Sequence, residues 1–220
     1  MDPTTAFSIF GALVAAMLLT IAWKIVSHLR RRRFVREFDF GRLLDERLAK
    51  RRPELDGLAR QRVFDGLREW FEVCQEAGRR RVSMPSQVVD DAWHEFILFT
   101  RNYQVFCRRA LGRFLHHVPA EAMQTPTQAG TGLRRTWRIC CHRAKINPRA
   151  PAALPLLFAM DEELGIADGF RYQLDCLAAG GSGRGGQCAS HIGCGGGCSS
   201  GGSDGGCGGD SGCGGGCGGD

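Results

Sequence analysis

Apolar residues follow three different patterns along this chain, and each pattern predicts a different kind of element. Thr4 to Trp23 is apolar on every side and carries no charge. These twenty residues at ~1.5 Å rise would span ~30 Å, the hydrocarbon thickness of a bilayer. From Arg36 to Leu164 apolar positions recur at spacings of three and four, the helical period. Beyond residue 180 apolar side chains all but disappear.

Within the periodic region the punctuation predicts individual helices. Arg36 to Arg52 reads as one short charged helix stopped by Pro53. Glu54 to Ala77 reads as a longer one, with Val63, Leu67, Trp70, Phe71 and Cys74 on its apolar face and Gly78 as C-cap. Ser86 is the expected N-cap of a central helix, with Asp90 and Asp91 near its positive end. Thr100 is the expected cap of a second piece that stops at Gly112. Leu133 to Ala144 and Leu154 to Leu164 read as two more helices. No convincing run of alternating strand residues occurs. The expected fold is all-α: an N-terminal transmembrane helix, a compact domain of about five or six helices, and a disordered Gly/Cys-rich tail.

Four segments follow from this reading. Residues 1–28 form a membrane anchor and 29–53 a basic juxtamembrane segment with a short helix. Residues 54–179 form the helical module and 180–220 the tail.

Charge orients the anchor. The formal net charge is +6, and the tail, with Arg184 against Asp204, Asp210 and Asp220, contributes −2. The rest of the chain is therefore at +8, and the excess is densest in Lys24, Arg30, Arg31, Arg32, Arg33 and Arg36. A secretory signal peptide carries its positive charges before the apolar run, whereas here they follow it. The positive-inside rule then predicts a single-pass protein of the inner, cytoplasmic membrane with its N-terminus outside and its C-terminal domain in the cytoplasm. The basic run sets topology and meets lipid headgroups, so nucleic acid is not an expected partner. In a reducing cytosol the eleven cysteines are expected as thiols, metal ligands or redox groups rather than disulfides.

Candidate chemistry gathers in residues 85–119, PSQVVDDAWHEFILFTRNYQVFCRRALGRFLHHVP. Asp90 and His94 are four apart and share one helix face. Trp93, Phe96 and Tyr103 lie on an apolar stripe with Val89, which Phe99 and Phe106 widen, and such a stripe predicts core. Three readings of the polar residues stand side by side. Asp90 and His94 could simply satisfy each other by a hydrogen bond. Asp90, His94, Cys107 and His117 (or His116) could ligate zinc or iron. Cys107 could act as a nucleophile with His94 or His117 as its base. Geometry separates them. His94 and Cys107 are thirteen apart, about 20 Å on a straight helix. A shared metal site requires a break near Thr100–Asn102 or a return of the chain at 113–117. Of Cys140-Cys141-His142, adjacent helix positions predict one thiol in the core and one exposed.

Asp90-x-x-Trp93-His94, Tyr103, Cys107 and the Gly112…His117 ending resemble the signature of the glycine-rich domain-containing protein family, known from plants with bacterial relatives. LPLLFAMDEELGIADGFRY at 154–172 resembles the end of the same bacterial module. The resemblance covers roughly 55–177 and implies a helical module rather than a reaction. Phe96 departs from the W-H-x-H of plant members.

The tail holds 21 Gly and 6 Cys. Its thiols, Cys188, Cys194, Cys198, Cys207, Cys213 and Cys217, follow a doubled x5, x3 spacing. Such a segment has a large ordering entropy and little apolar surface to offset it. The thiols could bind metal or oxidise, but their spacing is not that of a zinc finger. The resulting functional expectation is a membrane-anchored, cytoplasmic interaction or scaffold protein with a protein partner. The alternatives are a metal-binding or thiol-redox protein, with zinc as the metal, and a Cys/His enzyme. Nothing in the sequence requires catalysis.

Overall fold

The computed structural model describes residues 3–117, 126–174, 187–189 and 192. Among these residues the chain forms seven helices: α1 (Pro3–Glu37), α2 (Gly41–Arg51), α3 (Gly57–Ala77), α4 (Gln87–Leu98), α5 (Thr100–Ala110), α6 (Pro126–Ala144) and α7 (Leu156–Glu163). Two strands of two residues each, β1 (Tyr172–Gln173) and β2 (Gln187–Cys188), pair in parallel. The all-α expectation holds. α1 includes a stretch long and apolar enough to cross a membrane, with mean hydropathy 2.2 and no part of that window buried against the protein.

α1 differs from the expected division. No glycine or proline interrupts Lys24–Glu37, and arginine is a good helix former, so the apolar run and the basic run are one continuous helix. The break expected at Arg36 comes instead at Phe38–Phe40. There Phe38 and Phe40 turn inward while Asp39 accepts a hydrogen bond from the Arg42 amide at 3.1 Å. Thus α1 ends inside the domain, with Val35 fully buried and Phe34 packed on the core.

The core is aromatic at its centre. Phe38, Phe40, Phe71, Phe96 and Phe106 meet at ring separations of 4.6 to 6.1 Å. Trp93, Phe96 and Tyr103 are all buried, as the stripe predicts. α3 lies across this core and can approach α4 and α7 closely because Gly66 has no side chain. A Cβ there would stand 2.7 Å from Met160 and 2.9 Å from Val89.

Caps agree with local sequence in most places. Asp56 caps α3 through the Ala59 amide. Ser86 caps α4 through the Val89 amide. Gly78 ends α3 with φ 63°. Thr100 is an exception: it is the first residue of α5, Phe99 holds the cap position, and no side-chain cap bond forms. Cys140 and Cys141 are a second exception, since both are buried. Thr136, Trp137, Ile139, Cys140 and Cys141 are covered together, so α6 is enclosed over more of its circumference than a one-sided stripe.

The α4 N-terminus is also tied from a distance. The Asp161 carboxylate, buried at the end of α7, accepts from Ser86 Oγ at 2.7 Å, the Gln87 amide at 2.7 Å, the Val88 amide at 3.2 Å and the Phe170 amide at 2.8 Å. The first amides of a helix have no partners within it, and here a carboxylate seventy residues away supplies them.

The start of the tail docks on the domain. β2 pairs with β1, and Ala189 and Ile192 are buried. The expectations for Cys194, Cys198, Cys207, Cys213 and Cys217 fall outside the described residues.

Asp161→Ala should leave the opening amides of α4 unsatisfied and cost about 3 kcal/mol, or roughly 6–12 °C in the melting midpoint of the detergent-solubilised chain. A shift below about 2 °C would show that water replaces the carboxylate at no cost.

Candidate metal centre

α4 carries Asp90 and His94 one turn apart on the same edge, beside the buried Trp93. The helix ends at Leu98, and Phe99, with ψ 58°, breaks the path before α5 begins at Thr100. α5 then closes at Gly112, whose φ of 70° sits in the left-handed region that glycine tolerates. The Gly112 amide donates to the carbonyls of Cys107 and Arg108, and the chain reverses towards α4.

One hydroxyl holds the returning segment. The Trp93 indole N–H donates to Tyr103 Oη at 3.1 Å. The Tyr103 hydroxyl in turn donates to the Leu115 carbonyl at 2.6 Å. Two residues further on, His117 packs against Trp93 with ring centroids 4.7 Å apart and against His94 at 4.2 Å.

Three potential ligands converge as a result. His117 Nε2 lies 3.2 Å from Asp90 Oδ1, and His94 Nδ1 lies 3.4 Å from Asp90 Oδ2. One ligand atom from each of Asp90, His94 and His117 falls within 4.8 Å of the others. Four-coordinate zinc with bonds of ~2.0–2.1 Å separates its ligand atoms by about 3.3 Å. His94 Nδ1 is buried yet makes no hydrogen bond. Its contact with Asp90 Oδ2 at 3.4 Å does not make a hydrogen bond, an unfavourable state for a buried nitrogen that a shared cation would relieve. His94 is 42% exposed along its outer side while Asp90 and His117 are largely covered, so the cluster opens to solvent on one side.

Not all expected residues join it. Cys107 is buried on α5 beneath Tyr103 and the Leu115 backbone and lies outside this cluster. Burial pushes its thiol above the ordinary range, with the Leu115 backbone and Tyr103 opposing in part. The nucleophile and fourth-ligand readings of Cys107 therefore lose their geometric basis. Burial likewise raises Cys74 and Cys140, and it pushes Cys141 up to about 11. All four are free thiols. His116 is exposed and meets Phe114 edge to face at 4.8 Å instead. Phe96 is fully buried against Phe40, Phe71 and Phe106, so its position faces the core and not the cluster.

A model of the UCP032817-like family matches residues 30–192. The chain belongs to the UCP032817-like family. The match begins in the basic half of α1 and ends at the buried Ile192. Membership in this family corrects the resemblance to glycine-rich domain proteins: the match over most of the chain is to UCP032817-like, and nothing points to the other family. The motif at 85–119 was too short to carry membership. No curated protein and no solved structure matches the chain.

Sequence reasoning missed the tertiary partners of two positions in this UCP032817-like module. Asp91, beside the cluster, is buried and paired with Arg51 and Arg52, and Arg52 also grips Asp168. Gly112 carries Arg31 against it, because a Cβ there would lie 2.4 Å from the guanidinium. Two adjacent acids on a helix hint that one faces inward, but neither partner is local.

Tyr103→Phe removes the hydroxyl bridge to Leu115 and should weaken the 113–117 segment by about 1–2 kcal/mol, opening it some 5–30 times more often. Amide hydrogen exchange across 113–117 measures this. Unchanged exchange there would show that Tyr103 does not position His117.

Proposed function

We propose that this protein is a membrane-anchored helical module that holds a divalent transition metal ion, zinc before iron, on Asp90, His94 and His117. The observation that carries the reading is the buried, hydrogen-bond-free Nδ1 of His94 facing Asp90 beside His117. Two imidazoles and one carboxylate suit zinc or non-haem iron. Three protein ligands leave at least one position for water or a substrate oxygen, and the solvent-open side supplies access. Closed structural zinc sites use four ligands, so this set favours an exchangeable or Lewis-acid role over a purely structural one.

The anchor reading rests on the exposed apolar half of α1 and on Lys24 and Arg30–Arg36 following it. By the positive-inside rule the module lies on the cytoplasmic side of the inner membrane. A scaffold role for the helical module is the reading left if no metal binds.

Full-length protein in detergent, loaded with zinc and washed, should retain one ion at this site. His94→Ala or His117→Ala should weaken that ion by more than about 100-fold, since even outer-sphere changes cost 10–100-fold. Zinc at 100 times its dissociation constant should also stabilise the wild type by about 2.7 kcal/mol and neither variant. Metal that depends only on residues 193–220 would move the site to the tail, and its absence from the full chain would end the metal reading.

For topology, a reporter fused after Asp220 should be active in the cytoplasm. Activity on the outer side would reverse the orientation.

A further inference from the structure

The continuous α1 fixes which end of the domain meets the bilayer. Along its last turns α1 runs antiparallel to α3: Arg36 pairs with Glu72, and Arg32 with Glu76. It runs antiparallel to α5 as well, with Phe34 against Phe106 and Arg31 donating to the Leu111 carbonyl. Stepping back along α1 towards the apolar run therefore leads to the C-terminal ends of α3 and α5. His28, Arg31, Gln75, Gly78, Leu111 and Arg113 line one small cleft at that level. Arg31 lies eight residues beyond Trp23, about 12 Å along the axis, which is roughly 5 Å past a headgroup layer of about 5–7.5 Å and within reach of a long arginine side chain turned back towards it.

Among the described residues, charge at this end is one-sided. Residues 77–89 contain Arg79, Arg80 and Arg81 and no acid. Residues 106–117, at the C-terminal end of α5 and after it, contain Arg108, Arg109 and Arg113 and again no acid. Glu76, the acid at this level of α3, is engaged by Arg32 and Arg143. Arg80 and Arg113 donate to the α3 C-terminal carbonyls of Ala77 and Gly78. These contacts absorb the negative helix end and leave the excess positive charge in place. Arg79, Arg80, Arg108 and Arg109 are exposed.

We propose that this membrane-proximal end of the domain is a docking face for anionic phospholipid headgroups. Its cleft between Arg31 and Arg113 seats a headgroup phosphate, and Arg79, Arg80 and Arg109 hold neighbouring headgroups. The face differs from an ordinary juxtamembrane basic run because most of its charges come from helix ends distant in sequence, with Arg109 set over the Phe34 ring of α1 at 5.7 Å. Guanidinium groups suit phosphate oxygens through paired N–H donors. The inference rests on α1 spanning the bilayer, and it is independent of the metal cluster.

The test uses the full chain in nanodiscs of phosphatidylcholine alone or phosphatidylcholine mixed with phosphatidylglycerol. Amide hydrogen exchange is read over 77–83 and 108–113. Phosphatidylglycerol should slow exchange in both segments by about threefold or more. High salt should reverse the effect, because exposed charge pairs are screened. The triple variant Arg79→Gln, Arg80→Gln, Arg109→Gln should lose the lipid difference while exchange in the buried part of α3 stays unchanged. Equal exchange of the wild type in both lipids would overturn the docking face. A parallel alkaline-carbonate wash of vesicles separates the two readings. Release of the chain would overturn membrane spanning and this inference with it, whereas retention with equal exchange would overturn the docking face alone.

Discussion

Asp161 brings a formal charge into the interior, where an ion left without partners costs several kcal/mol. Each side-chain donor and amide that it finds belongs either to the first turn of α4 or to the Phe170 backbone. This one carboxylate therefore sets where α4 starts and how α7 and the following turn lie across it. The direction of α4 in turn decides which side chains enter the core. Val88, Val89, Ala92, Trp93 and Phe96 go inward, and Asp90 and His94 remain on the edge. Gly169 belongs to the same constraint, since a Cβ there would lie 2.6 Å from the Asp161 side chain.

The ligand cluster depends on that placement and on a second, smaller device. α4 and α5 would carry His94 and Cys107 far apart if they formed one rod. The break at Phe99 and the left-handed Gly112 fold the chain back instead. Tyr103 then joins the two arms, accepting from Trp93 and donating to Leu115. The outcome brings in His117 and leaves Cys107 inside. A thiol in apolar surroundings favours its neutral form, while His94 and His117 stand at a partly open edge. Packing has thus sorted the polar residues of one short segment into those that can do chemistry and those that fill space.

α1 joins these elements to the apolar stretch that is long enough to cross a membrane. Its far end is part of the domain core, so the apolar stretch and the module share one continuous helix. Glu72 binds this junction: it is buried, and it accepts from Arg36 of α1 and Arg143 of α6. Arg31 lies on Gly112, the residue that begins the return towards His117. α1 and the cluster therefore meet the same turn.

Local spacing alone was enough to read the apolar span, the helical period, the caps at Ser86 and Gly78, the stop at Gly112 and the burial of Trp93, Phe96 and Tyr103. These features depend on interactions within a turn or two of helix, or on the repeat of apolar positions. The continuity of α1 into the core was not legible, because it depends on Phe38 and Phe40 finding Phe71, Phe96 and Phe106 in distant helices. The spacing of Asp90, His94 and His117 allowed a shared site without requiring one. It also gave Cys107 equal standing, and it left Asp161 looking like an ordinary helix acid. Only the tertiary structure decided among them, because a buried charge, a chain reversal and the meeting of ligand atoms are fixed by partners from several distant segments at once.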